Sequence, residues 1–154
     1  MKRFQILLMI GVSFVLFSCF GCGKSGLKTD AVTGTVTFNS KPVAGASVNF
    51  TPKGTNGHPA YAITEKDGTY KLQTLLGKPD AGTTPGDYIV TIYKTENEPT
   101  GRKIPDETNP DQMVEVMKAK DALPLIYKNP QKTPFSVTVV SGQANTFDFE
   151  LTSK

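Results

Sequence analysis

The residues with the clearest chemical potential are two cysteines, Cys19 and Cys22, near the start of the chain. Before them lie two cationic residues, Lys2 and Arg3, and an apolar run over 6–17. A charged start, an apolar core and small residues before a cysteine are typical of a secretion signal. The run is shorter than the ~20 apolar residues that span a bilayer, which favours a cleaved signal over a membrane-anchoring helix.

The region around these cysteines resembles the signal of bacterial lipoproteins. In that signal an aliphatic residue, a loosely restricted residue and a small residue precede the cysteine that is acylated. Leu16-Phe17-Ser18-Cys19 matches the aliphatic and small positions, whereas Cys19-Phe20-Gly21-Cys22 matches the small position alone. The resemblance implies lipid attachment, palmitate included, at Cys19. Cys22 is the fallback, because cleavage there leaves no spare thiol in an oxidising envelope.

This interpretation divides the chain into a lipoprotein signal peptide over 1–18, a flexible tether over 19–30 and a folded domain over 31–154. Two or three acyl chains hold a protein firmly, since each buried methylene contributes about 0.8 kcal/mol. We therefore expect an envelope protein outside the cytoplasm, on the outer membrane if the cell has two membranes. Its expected partners are the membrane, through the lipid, and an unidentified envelope protein or glycan.

Charge and cysteine usage exclude several classes of protein. The chain has 17 basic and 14 acidic residues, a net charge of +3. Loss of Lys2 and Arg3 with the signal leaves 15 basic against 14 acidic residues, a net charge of +1. Nucleic-acid binding needs a basic stripe and is not expected here. Both cysteines lie in the targeting region, so a disulfide-rich scaffold is also excluded.

His58, the only histidine, is the remaining candidate for catalysis. A Ser-His-Asp arrangement needs a nucleophile and an orienting carboxylate beside the histidine, and no nucleophile-elbow glycine pattern occurs. No His/Cys pair has the spacing of zinc ligands. Two acidic loops follow no calcium-loop spacing: Glu65 with Asp67, and Asp106 with Glu107 and Asp111. We therefore predict no catalytic residue, no metal and no cofactor, and we interpret His58 as a solvated loop residue.

Apolar and polar residues alternate with a period of two through most of the chain after Ala31, which predicts β-strands. Turn signals such as Asp67-Gly68 separate the segments. This pattern predicts an all-β fold, an antiparallel seven-stranded β-sandwich with Phe50, Phe147 and Phe149 facing its core. The predicted strands are 32–38, 47–51, 60–64, 69–73, 88–92, 134–140 and 147–151.

One segment, 94–132, departs from this alternation and contains five prolines and many charges. Within it, Met113, Val116 and Met117 have helical spacing and Pro124 lies just beyond, which predicts a short helix over 111–122. Such a helix would close one edge of the sandwich as a lid. The functional alternative is a partner-binding insertion.

The domain also resembles carboxypeptidase regulatory-like domains, which are transthyretin-like, or prealbumin-like, β-sandwiches. The segments that carry the resemblance are Val32–Val36, Lys41–Phe50, Thr64–Tyr70 and Pro85–Ile92. Small bacterial lipoproteins built from this domain share a segment like 123–135 as well. Within these segments, Gly34 and Gly45 are expected to permit close packing or a bulge. Tyr88 is expected to bury its ring and donate its hydroxyl to a loop carbonyl, as in a tyrosine corner. Ser40 stands where the family has glycine, which leaves the type of that turn open.

These features favour a membrane-anchored, non-enzymatic domain for adhesion or envelope assembly. The alternative is a carbohydrate- or small-ligand-binding surface module, which needs exposed aromatic side chains. Tyr61, Tyr93 and Tyr127 are the candidates for that role. The sequence identifies no other ligand-binding residue.

Overall fold

The computed structural model describes residues 27–74, 77 and 81–153, so the predicted signal peptide and the lipidation candidates Cys19 and Cys22 lie outside the described residues. The described part is all-β. It has twelve strands in two five-stranded sheets and a two-stranded hairpin, with no helix long and apolar enough to cross a membrane. The strands are β1 (Val32–Phe38), β2 (Lys41–Pro42), β3 (Ser47–Pro52), β4 (Ala60–Ile63), β5 (Thr69–Lys71), β6 (Gln73–Thr74), β7 (Gly86–Tyr93), β8 (Thr95–Pro105), β9 (Met113–Asp121), β10 (Ser136–Val139), β11 (Asn145–Thr146) and β12 (Phe149–Leu151).

The first sheet is built around β1, which is paired on both sides. On one side it pairs antiparallel with β2 and β5, and on the other it pairs parallel with β11 and β12. The prediction of a wholly antiparallel sandwich is wrong at this point. The chain crosses from β10 to the first sheet at the end where β1 begins, since Asn145 pairs with Val32, and it must then run in the same direction as β1.

The second sheet has the strand order β10-β7-β3-β4-β6, with every pairing antiparallel. Its inward residues alternate with outward ones, as the period of two predicts. Phe50 is 1% exposed. Its ring lies 5.9 Å from that of Tyr88 in the same sheet and 6.3 Å from that of Phe149 in the first sheet. The two sheets therefore share one apolar core, and the predicted inward register of Phe50 is confirmed.

Each of the seven predicted segments contains an observed strand, but the strand count of seven is not confirmed, because five further strands are present in the described residues. Three of these, β2, β6 and β11, have only two residues each. They are short pairings with β1, β4 and β1 respectively. The other two, β8 and β9, form the hairpin.

The predicted helix over 111–122 is wrong, because Met113–Asp121 is strand β9 and pairs antiparallel with β8. A short helix gains most of its stability by burying an apolar stripe, and neither Met113 nor Met117 is buried. In the hairpin the backbone groups of the same segment are instead paired with 95–105. The prolines of β8, Pro99 and Pro105, are tolerated because β8 has a neighbour on one side only.

Gly34 marks the closest backbone approach in the first sheet. A Cβ atom at Gly34 would lie 1.8 Å from the Phe147 carbonyl oxygen and 3.0 Å from Cε1 of Tyr70. The same carbonyl accepts a hydrogen bond from the Tyr70 hydroxyl at 2.8 Å. The expected close packing at Gly34 is confirmed, and its neighbours are a carbonyl and an aromatic ring.

We predict that Gly34→Ala lowers the free energy of unfolding by about 3 kcal/mol or more, because the new methyl group must displace the Phe147 backbone or the Tyr70 ring. Gly54→Ala is the matched control, since a Cβ there meets no atom within 4 Å. Urea denaturation followed by circular dichroism measures both. Equal stability of the two variants would contradict the assignment.

Candidate functional site

The loops of the sandwich are sorted between two ends. At the near end, where the described chain begins, the backbone N–H and C=O of Asp30 pair with Thr83 at 2.8 and 3.1 Å. The Asp30 carboxylate accepts a hydrogen bond from the Gly142 N–H at 2.7 Å. The loop before β4 is fixed to the same end, because the His58 N–H donates to the Thr84 hydroxyl at 3.1 Å. We define the near end as 27–31, 53–59, 82–85 and 140–144.

At the far end lie the turns that follow β1 and β4. Asn39 and Ser40 have φ of 49° and 61°, which is a type I′ hairpin turn. Ser40 therefore adopts the left-handed conformation that ordinarily favours glycine. The turn at Asp67-Gly68 lies beside it, since the Val36 N–H donates to the Gly68 carbonyl at 2.9 Å.

The hairpin β8–β9 also starts at the far end. Its base is closed by a hydrogen bond from the Ala122 N–H to the Lys94 carbonyl at 2.8 Å. Lys94 directly follows β7, whose last residue, Tyr93, pairs with Ser47 at the start of β3. With nine residues in β9, the hairpin extends for about 30 Å.

The hairpin exposes both of its faces. All eleven residues of β8 are exposed, as are seven of the nine in β9, so no second layer covers the ribbon in the described residues. The half nearer the base carries charges, with ion pairs Lys94–Glu96 at 2.6 Å and Lys120–Glu98 at 2.5 Å. From its middle to its tip the hairpin also carries exposed apolar residues, namely Ile104, Met113, Val114 and Met117, among the charges of Arg102, Lys103 and Glu115.

The acidic loops use their carboxylates to hold turns. Asp106 accepts hydrogen bonds from the N–H and hydroxyl of Thr108 and from the Asn109 N–H, which lowers the pKa of Asp106. Asp67 accepts in the same way from Thr69, and its pKa is also lowered. Among the described residues no group of three or more His, Cys, Asp and Glu side chains is arranged to hold a metal ion.

His58 is half-buried in the near end rather than fully solvated. Its carbonyl accepts a hydrogen bond from the Thr83 hydroxyl at 3.0 Å, so both backbone polar groups are fixed. The Nδ1 atom of the ring is buried and has no hydrogen-bond partner in the described part of the chain. Neither a nucleophile nor a carboxylate orients the ring through that nitrogen.

The three candidate tyrosines have different environments. Tyr127 is buried, stacks on Phe135 at 5.4 Å and accepts a hydrogen bond from the Thr152 N–H, so it belongs to the core. Tyr93 is half-buried, and the Lys128 ammonium lies 5.6 Å from its ring centre. Tyr61 is 36% exposed on the outer face of β4. Tyr88, by contrast, is fully buried and donates its hydroxyl to the Thr84 carbonyl at 2.8 Å, as predicted.

A cleft of about 520 Å³ lies next to Tyr61. It forms because the chain after the Asp67-Gly68 turn first joins β1 of the first sheet as β5 and then returns to β4 of the second sheet as β6. The intervening parts of β4 and β5 are unpaired with each other. The sequence pattern does not reveal this cleft, since the alternation over 69–73 continues without interruption where the strand changes sheets.

Comparisons with known proteins assign no family. A scan against protein-family models found no match, and a search of curated proteins found no similar sequence. Among solved structures, a 9R-lipoxygenase from Cyanothece PCC8801 is similar to the chain with a TM-score of 0.35 and 15% identity, over 81% of this chain. The chain spans 16% of that protein. A similarity of this size carries no argument about fold or function.

The Tyr70 hydroxyl, buried beside the cleft, gives a prediction for alkaline pH. Burial, with a smaller contribution from the charge of Asp148, raises the pKa of Tyr70 above its ordinary value of 10.0. Its contribution to stability is therefore complete below pH 10 and is lost as the pH rises toward the folded-state pKa. Above pH 10 we expect the free energy of unfolding of Tyr70→Phe, measured by urea titrations, to fall less steeply with pH than that of the unchanged protein. An unchanged slope would contradict the prediction.

Proposed function

We propose that the chain is a membrane-anchored envelope lipoprotein whose non-enzymatic β-sandwich serves adhesion or envelope assembly, with the hairpin β8–β9 as its contact with a protein partner. The observation that carries this proposal is the position and exposure of the hairpin. It starts at the far end of the sandwich, whereas the described chain begins at the near end. A lipid at Cys19 would hold the near end toward the membrane and direct the hairpin away from it.

The tip half of the hairpin offers apolar area to a partner. Ile104 and Val114 are directly opposed on one face, whereas Met113 and Met117 lie on the other. Burial of apolar surface contributes about 25 cal/mol per Å². An exposed apolar group of this kind typically marks an interaction surface.

The two outer edges of the hairpin differ in how well they could pair with a partner strand. The edge of β8 is interrupted by Pro99, by a register shift between Pro99 and Lys103 and by Gly101 with φ of 73°. Strand β9 contains neither proline nor glycine over its nine residues. Because a partner strand binds through main-chain hydrogen bonds to an uninterrupted edge, β9 is the edge that suits strand addition.

We further propose that the sandwich is transthyretin-like and that the protein is a small lipoprotein with a carboxypeptidase regulatory-like domain. The supporting observations are the sequence resemblance over 31–92, the type I′ turn at Asn39-Ser40 and the hydrogen bond from Tyr88 to Thr84. A non-enzymatic role is supported by the position of His58, whose only hydrogen bonds in the described chain are made by its backbone.

The lipid anchor gives the first test. We expect mass spectrometry of the mature protein to find an acylated N-terminus at Cys19, and Cys19→Ser to move the protein from the membrane to the soluble fraction. Cys22→Ser is the control and should leave the protein in the membrane. If Cys22→Ser alone releases it, the fallback site is the acylated one. A mature protein that retains Met1 would contradict the anchor.

The hairpin gives the second test. Replacing 95–121 by Asn-Gly joins Lys94 to Ala122, whose backbones already lie at hydrogen-bond distance. Because no hairpin residue belongs to the core, we expect the free energy of unfolding to change by less than about 1 kcal/mol. A large loss of stability would show that the hairpin has a structural role.

Photo-crosslinking tests whether the hairpin contacts a protein partner. A photo-crosslinking amino acid at Met117, in the full chain in native membranes, should give a defined protein adduct. The same group at Ile126, which is exposed on the sandwich, is the control. A pattern that is identical at both positions, or no adduct at Met117, would contradict the proposal.

A further inference from the structure

The outward side chains of the central strands of the second sheet are uncharged. Two ammonium groups reach this face from neighbouring loops, Lys128 at 5.6 Å from the Tyr93 ring centre and Lys53 at 2.6 Å from the Ser136 hydroxyl. The outward residues of β3 and β4, and those of β7 from Ile89 to Tyr93, are all uncharged, in a chain of which 20% is charged. Solvent-facing sheet surfaces ordinarily carry Lys and Glu, which improve solubility at no cost in packing. The part of the face around Tyr61 therefore offers uncharged amide and tyrosine side chains to a ligand.

A row of residues crosses the sheet at the level of Tyr61. The strand registers place Thr91 opposite Asn49, Asn49 opposite Tyr61, and Tyr61 opposite Gln73. Thr91 is only 9% exposed, so the accessible row runs from Asn49 through Tyr61 to Gln73. Neighbouring strands are about 4.8 Å apart, so this row is about 10 Å long. The row presents an amide, a phenol and a second amide in line, all of which both donate and accept hydrogen bonds.

Tyr61 is held in place within this row. The Gln73 side-chain amide donates a hydrogen bond to the Tyr61 hydroxyl at 3.0 Å. The phenolic proton and the Gln73 carbonyl oxygen remain for a ligand, because neither takes part in another hydrogen bond within the described residues. Ile63, two residues along β4, adds an apolar side chain that is 63% exposed.

The row leads into the cleft between β4 and β5. Tyr61, Ile63 and Gln73 belong to its lining, and Glu65, Thr69 and Lys71 complete the polar part of the wall. The two charges of the cleft, on Glu65 and Lys71, are of opposite sign. The cleft therefore adds hydrogen-bonding groups without giving the surface a net charge.

We propose that this row and cleft form a binding site for a neutral polysaccharide chain. Sugar hydroxyls match the donors and acceptors of the row, and the C–H face of a sugar ring packs on an aromatic side chain such as Tyr61. An anionic polymer would need basic side chains beside Tyr61. The row has none, Lys71 of the cleft is matched by Glu65, and Lys53 and Lys128 contact Ser136 and Tyr93 beyond the row. The site goes beyond the adhesive role of the hairpin, because it uses another surface and a ligand of another class.

The test is affinity electrophoresis of the full chain, in a non-ionic detergent without a sugar headgroup. The gels contain a neutral β-glucan, a xylan, a galactomannan or dextran, and alginate serves as the anionic comparison. We expect at least one neutral polymer to retard the protein and Tyr61→Ala to weaken that binding by about tenfold or more. Tyr61→Phe, which keeps the ring, should lose less. Asn49→Ala tests the row independently of the ring.

Met117→Ala on the hairpin is the matched control and should bind the polysaccharide as the unchanged protein does. Thermal unfolding checks that each variant is folded, which is expected because Tyr61 lies outside the core. Retardation by alginate alone, or by none of the neutral polymers, would overturn the proposal. So would a neutral polymer that retards Tyr61→Ala and Asn49→Ala as strongly as it retards the unchanged protein. Binding that is lost only with Met117→Ala would also overturn it and would move the glycan contact to the hairpin.

Discussion

The contact between Gly34 and the Phe147 carbonyl determines how the first sheet is assembled. That carbonyl accepts a hydrogen bond from Tyr70, and the ladder between β1 and the C-terminal strands is interrupted beside it, because the Thr35 N–H donates to a side chain. Asp148 fills the gap, because its carboxylate accepts from the N–H and the hydroxyl of Thr35 at 2.8 and 2.7 Å. The parallel pairing resumes at Phe149, opposite Val36, and delivers the Phe149 ring to the core beside Phe50.

This arrangement completes the core without the hairpin and without the outer face of the second sheet. Two surfaces with different chemistry are consequently left for binding. The hairpin offers an apolar tip and an uninterrupted strand edge, which suit a protein segment. The outer face offers an uncharged row of two amides and the Tyr61 phenol, which suits a glycan. Loops and edges that the core does not need are where a rigid scaffold ordinarily carries its binding residues.

The sequence was a good guide where one face of a strand is buried. At Phe50, Tyr88 and Phe149 a slip of one residue would expose an aromatic ring, so alternation alone specifies the register. It failed for Met113, Val116 and Met117, because helical spacing predicts a helix only when a core is present to bury the stripe. The cleft beside Tyr61 could not be predicted from the sequence either. It depends on which sheet Thr69–Lys71 joins, a long-range choice that leaves no local pattern.

The sequence of the hairpin limits aggregation through its exposed strand edges. A long exposed strand edge is a template for aggregation, and proteins limit that risk with prolines, bulges and charges. Strand β8 has all three, whereas β9 has charges only, with Lys118 and Lys120 toward the base and Glu115 toward the tip. Symmetric antiparallel pairing of two β9 strands centred on Lys118 would oppose its like charges, and pairing centred on Glu115 would oppose two carboxylates. The charges of β9 therefore disfavour a second copy at these registers and leave the edge open to a partner strand of different sequence.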